Sequence, residues 1–155
     1  MKKILFIILS VIILTGCAKQ TTEVHPADEY CIRELTVITG MILLYAQSVN
    51  AVIESYSYGT VTLNEVNLTL INAFNKIANT KAGISEKDLD KNCSAEIQNE
   101  IIIPLMSAVD NYVLGYEKIT TNISDMNTLL SADEYLSLGD NGMHKVEEYL
   151  LLHMD

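Results

Sequence analysis

The sequence predicts an all-α protein, a small up-down bundle of about four helices. Three observations predict it. Apolar residues recur in alternating steps of three and four over several long stretches, the spacing that gathers one helix face into a packing seam. No stretch shows the alternation of a β-strand, and no internal repeat or low-complexity tract interrupts the pattern. Capping boxes and glycine-rich breaks punctuate the apolar stretches, as expected where helices start and stop.

The first helix is expected to begin at Asp28, behind a polar segment closed by His25-Pro26. Leu35, Ile38, Ile42, Tyr45, Val49, Val52 and Tyr56 form its seam. Asp28 and Glu29 occupy its first turn, where acids complement the helix dipole, and Gly59 is its natural stop. The second helix opens at the capping box Thr62-Leu63-Asn64-Glu65 and turns Leu63, Val66, Leu70, Ala73 and Ile77 inward, with Ile71 and Phe74 widening the stripe. A break is expected over residues 79–83, then a short capped turn at Ser85-Glu86-Lys87-Asp88 leading to Cys93. A third helix is expected over residues 94–119, with Ile97, Ile101, Leu105, Ala108, Tyr112, Gly115 and Ile119 facing in. Pro104 lies inside it and should kink it, because proline lacks a donor and clashes one turn back. Residues 120–128 read as a polar connection. Ser131-Ala132-Asp133-Glu134 reads as a capping box opening a short helix to Leu138, and Gly139-Asp140-Asn141-Gly142 as a turn. The last helix is then expected over residues 143–153, with Val146 and Leu150 inward.

The N-terminus has a different character. Lys2 and Lys3 precede an apolar run over residues 4–14, interrupted only by Ser10. That run is about half of the ~20 residues that a membrane-spanning helix needs, so it reads as an export signal. It ends in Leu14-Thr15-Gly16-Cys17, which resembles the lipobox of bacterial lipoproteins. The resemblance covers the first 17 residues and implies a diacylglyceryl group on the Cys17 thiol, cleavage before Cys17 and acylation of the new amine, commonly with palmitate. The chain then divides into a signal peptide (1–16), a lipidated tether (17–27) and a helical-bundle domain (28–155). One acyl chain holds a protein marginally, whereas two or more anchor it stably. In this family an Asp after the cysteine retains the protein at the inner membrane. Ala18 stands there, implying the outer membrane, facing the periplasm, or the outer face of the cell membrane in a one-membrane cell. The tether reaches at most ~35 Å extended and averages nearer ~20 Å.

With Cys17 carrying lipid, Cys31 and Cys93 remain as an even pair in an oxidising compartment, where disulfides persist. They are expected to bond; unpaired, they would be two buried thiols. The bundle topology agrees, since Cys31 opens the first helix and Cys93 the third, at one end of an up-down bundle. Closing a loop of about 60 residues contributes about 4 kcal/mol in the chain-entropy model.

The chain carries a net charge of −10. The signal holds two lysines and no acids, so its removal leaves eight basic and twenty acidic residues, a net charge of −12. Such a surface is repelled by nucleic acid and by anionic headgroups. It suits a basic protein partner, or simply keeps a tethered protein soluble.

Residues that might carry chemistry do not assemble into a motif. His144 with Glu147 and Glu148 share a helix face, but the chain has no Glu-x-x-His for a di-iron bundle, and His153 lies on the opposite side of the helix. An EF-hand alignment on Gly142 and Glu148 places Ser137 and Gly139 where acids belong. Nucleophile elbow, zincin and phosphate-loop patterns are missing. No catalytic residue, metal or cofactor is therefore expected, and the protein is not expected to be an enzyme.

Two features bear on binding. Eight tyrosines without a tryptophan suit either a core or an interface. Residues 35–53 contain no charge for nineteen positions, about a membrane span. Gln47, Ser48, Asn50, the heptad seam and the neighbouring Cys31 favour a bundle helix over a transmembrane one. Thr36, Thr39, Gln47 and Asn50 form its expected outer face, packed in the bundle or against a partner. The resulting expectation is a lipid-anchored, non-enzymatic adaptor that binds another envelope protein, possibly a basic one. Secretion pilotins, exclusion proteins and immunity proteins are small bacterial lipoproteins of this general look. The alternative is a carrier holding a lipid or other hydrophobic small molecule in a bundle cavity of a few hundred Å³.

Overall fold

Helix α1 spans Pro26–Ser57, with Asp28 and Glu29 in its first described turn, and it includes the start expected at Asp28. The computed structural model describes residues 26–122 and 126–153. Helix α2 covers Leu63–Glu86, a short α3 Leu89–Asn92 and a single turn α4 Ala95–Ile97. A π-helical turn, Gln98–Ile102, runs directly into α5, Ile103–Thr121, and α6 covers Met126–His153. Among the described residues there is no strand. The four long helices form the up-down bundle. Chain neighbours α1/α2, α2/α5 and α5/α6 pack along their lengths, and a lighter contact of α6 on α1 closes the ring.

The inward seams agree with the sequence along most of their length. Leu35, Ile38, Ile42 and Val49 of α1 are buried, as are Val66, Leu70, Ala73 and Ile77 of α2 and every expected inward residue from Ile97 to Ile119, whereas Leu63 and Ile71 of α2 are exposed. At its ends the α1 seam drifts, because 3.6 residues per turn does not match a strict heptad. Ala46 is buried where Tyr45 is half-buried, and Tyr56 is exposed. The Thr62–Glu65 capping box forms as expected. Glu65 accepts the Thr62 backbone N–H at 2.6 Å and its own N–H reaches the Thr62 hydroxyl at 3.3 Å. Those bonds hold the Glu65 carboxyl below its usual pKa.

The expected break over residues 79–83 does not occur. Helix α2 continues through Gly83 because the seam continues, with Thr80 and Ile84 following Ile77 into the core. Thr80 is tolerated there because its hydroxyl donates to the Ile77 carbonyl within the same helix. The chain turns at Asp88, which adopts the left-handed conformation (φ 50°) rather than the expected capped turn at Ser85.

Pro104 does not simply kink a continuous α-helix. The π turn before it re-registers the ladder, and the Ile103 N–H donates to the Gln98 carbonyl five residues back. This places Pro104 in the first turn of α5, where a missing donor costs nothing.

The largest departure is α6. Residues 126–128 of the expected connection, the capping box at Ser131 and the turn at residues 139–142 are parts of one helix. Glycine serves there for proximity, not for turning. A Cβ on Gly139 would stand 2.9 Å from the Tyr112 ring, one on Gly142 2.9 Å from the Ala108 Cβ, and one on Gly115 2.6 Å from Leu136. These positions let α5 and α6 approach closely, and theirs is the most extensive contact in the bundle.

At one end of the bundle Cys31 and Cys93 form a disulfide, with Cα atoms 5.8 Å apart. Beside it, the Ser94 N–H donates to Asp28 Oδ1 at 3.1 Å. The Tyr149 hydroxyl donates to Glu96 Oε1 at 2.9 Å, bringing the last turns of α6 to the same end.

Two outcomes follow. Gly139→Ala should destabilise the fold despite alanine's helix propensity, because the Tyr112 ring cannot give way. Gly40→Ala, with nothing within 4 Å of its Cβ, should gain up to about 1 kcal/mol, and denaturant unfolding distinguishes the two. Non-reducing peptide mapping should recover Cys31 linked to Cys93, and reduction should cost about 2–5 kcal/mol in the same unfolding measurement.

Candidate contact surface and lipid attachment site

Helix α1 has a second seam. Tyr30, Val37, Leu44 and Ala51 recur every seventh residue and are all exposed, Val37 by 57% and Leu44 by 63%. Gly40 and Gln47 interleave with them, and Met41 flanks the row. At 100° per residue this row lies opposite Ile42, directly away from the core. The charge-free stretch, residues 35–53, runs along it for about 28 Å at 1.5 Å per residue. Its charges are confined to the ends, Arg33 and Glu54. Arg33 stacks over the Tyr30 ring at 5.5 Å and lies 3.6 Å from Glu34. Glu34 in turn pairs with Lys87 of α2, which holds its carboxyl below and the lysine above their usual pKa values.

The expected outer face is corrected at one position. Thr39 is 3% exposed, on the core side of α1, and its hydroxyl has no hydrogen-bond partner. Asn50 is exposed, Gln47 half-buried, and Thr36 half-buried with its hydroxyl donating to the Ile32 carbonyl at 2.7 Å. By length and composition α1 could cross a membrane, with a mean hydropathy of 1.6 over its most apolar window. Packing of Leu35, Ile38, Ile42 and Val49 against the other helices supports its role as a bundle helix.

The tyrosines divide between core and surface. Tyr112 and Tyr116 are buried, stacked with ring centroids 6.0 Å apart, and burial pushes both hydroxyls well above the usual tyrosine pKa. The Tyr112 hydroxyl donates to Asp140 Oδ1 at 2.6 Å. Tyr149 stacks on His153 at 4.0 Å, and its hydroxyl is pushed up to about 12 by burial and by its bond to Glu96. Tyr30, Tyr56 and Tyr58 are exposed.

Two surface grooves lie between helices. One, of about 290 Å³, separates α1 from α2, with Val37, Ile38, Met41 and Tyr45 on one wall and Lys76, Thr80 and Gly83 on the other. The second, of about 460 Å³, lies between α5 and α6 around Leu114, Lys118 and Tyr135. His144 and Glu148 are exposed and Glu147 is half-buried, its pKa raised by that burial. Among the described residues no three His, Cys, Asp or Glu side chains converge to hold a metal.

If α1's outward row is a contact surface and its inward row the core, charge should discriminate between them. Leu44→Lys should leave stability within about 0.5 kcal/mol of the parent. Ile42→Ala should cost about 2–5 kcal/mol in the same denaturation experiment.

Cys17 and the tether lie outside the described residues, so the N-terminal site is read by comparison. No curated protein and no solved structure matches the chain. Residues 1–18 match the family model described as a prokaryotic membrane lipoprotein lipid attachment site, so the helical bundle belongs to a chain that carries the signal of a lipid-anchored envelope protein.

Proposed function

We propose that this protein is a non-enzymatic adaptor of the bacterial envelope. It is anchored through lipid on Cys17, faces the periplasm from the outer membrane, and works by protein–protein contact. The observation that carries the reading is the outward row of α1, a charge-free apolar face on a chain of net charge −10. An exposed apolar strip of this length on an acidic protein has a cost in solubility and marks an interaction site. The acidic surface around it would steer a basic partner, as in the pilotin, exclusion or immunity types of small lipoprotein. The carrier alternative calls for an enclosed apolar cavity. The two grooves are instead surface features lined partly by lysines, and Leu35, Ile42, Leu70, Leu105 and Val146 fill the core with no exposed area.

The address and the contact are separable by experiment. Cys17→Ser should abolish acyl labelling and leave uncleaved precursor; labelling that survives would remove the anchor. Affinity capture of tagged lipoprotein from its own envelope should recover protein partners that Leu44→Lys loses, while circular dichroism of the variant stays unchanged. Capture that is indifferent to Leu44→Lys would move the contact off α1.

A further inference from the structure

We propose that the outward seam of α1 pairs with the same seam of a second copy of this chain, in parallel and in register, on the membrane that anchors both. The inference rests on the reading of that face as a contact surface and names its occupant.

Spacing comes first. Tyr30, Val37, Leu44 and Ala51 give one exposed apolar position per heptad, flanked by Met41, a narrow row that a helix already packed on its other side does not need for its own fold. Gly40 supplies a second observation. Gly115, Gly139 and Gly142 each have a neighbour that a Cβ would strike, whereas Gly40 in the middle of α1, like Gly83 near the end of α2, has none within 4 Å. Within one chain it only weakens the helix relative to alanine. Set between Val37 and Leu44, it leaves room for a facing helix to come close.

Charge and the anchor identify the partner. Two copies of a strongly acidic chain repel one another over most of their surfaces, and residues 35–53 of α1 form a stretch where they can meet without opposing charges. The attachment site lies a short tether N-terminal to α1, so both copies leave the membrane from the same end of this helix. That arrangement sets the helices parallel and brings Val37, Leu44 and Ala51 each opposite its own counterpart. A single helix pair buries less than the ~1,200 Å² usual for freely diffusing partners. Confinement to one surface on a tether of at most ~35 Å raises the effective concentration and offsets that deficit. A pair would also present two acidic bundles side by side to a basic partner.

The test is site-specific cross-linking of the full-length lipoprotein in its own envelope. Cys31 and Cys93 are bonded to each other and Cys17 is the lipid acceptor, so one added cysteine is the chain's free thiol. Val37→Cys, Leu44→Cys and Ala51→Cys, made singly, should each give a disulfide-linked species of twice the chain mass under mild oxidation. Asn72→Cys, exposed on α2, should not. Adding Leu44→Lys to the Ala51→Cys chain should cut the product by more than about tenfold, since like charges would then face each other. Co-capture of two differently tagged copies, lost with Leu44→Lys, checks the pairing without any added thiol. Equal cross-linking at Asn72 would reduce the pairing to collision and overturn the proposal. Adducts with other proteins only would overturn it too, while leaving the adaptor reading in place. A Leu44→Cys thiol that joins no protein and is shielded by lipid would overturn both.

Discussion

The Cys31–Cys93 bond is the constraint on which the placement of α1 depends. Helix α1 is the longest element, yet it packs well only on α2 and lightly on α6. A helix held along one flank is free to splay. The disulfide ties its first turns to the start of α4, and the Asp28 carboxylate holds the Ser94 N–H beside it. With a sequence separation of 62 between the cysteines, the cross-link removes much of the unfolded chain's freedom while fixing the helix whose outer side carries the exposed apolar row. It also sits at the end of the bundle from which the chain runs toward its lipid, so the anchored end is the covalently braced one.

The other half of the bundle is held by proximity. Gly115, Gly139 and Gly142 let α5 and α6 come together until Ala108 and the Tyr112 ring touch the opposing backbone. That approach seals the buried tyrosine pair, and Asp140 then satisfies the Tyr112 hydroxyl that would otherwise be stranded. The π turn ahead of Pro104 belongs to the same construction. Beyond it, Ala108 and Tyr112 lie on the face of α5 that meets Gly142 and Gly139 of α6.

The two halves divide the work. The α5–α6 pair is closed on itself, with small residues and rings filling the contact. The α1–α2 side ends in an apolar row and a shallow groove facing outward, with Lys87 neutralising Glu34 at the edge. A protein confined to a membrane surface meets its partners at high effective concentration, so modest apolar strips suffice where freely diffusing proteins need large interfaces. An acidic surround limits such a strip to occupants that carry no opposing charge of the same sign.

What the sequence by itself determined is whatever rests on local chemistry and period. The lipid attachment signal, the four-helix class, the inward rows of α1, α2 and α5, the Thr62 cap and the pairing of Cys31 with Cys93 were all legible, because steps of three and four and the end-to-end topology leave few alternatives. What only the tertiary structure decided is the meaning of residues with two uses. Gly139 and Gly142 read as a turn, since glycine is permissive, but in contact with Tyr112 and Ala108 they are spacers within a helix. Thr80 and Thr39 read as a break and as outer surface, yet both lie buried, the first bonded within its own helix and the second unpartnered. Pro104 read as a kink, and the π turn ahead of it accommodates its missing donor within continuous helical backbone. In the glycine and threonine cases local propensity is worth about a kilocalorie per mole or less, and burying one more turn of an apolar seam outweighs it.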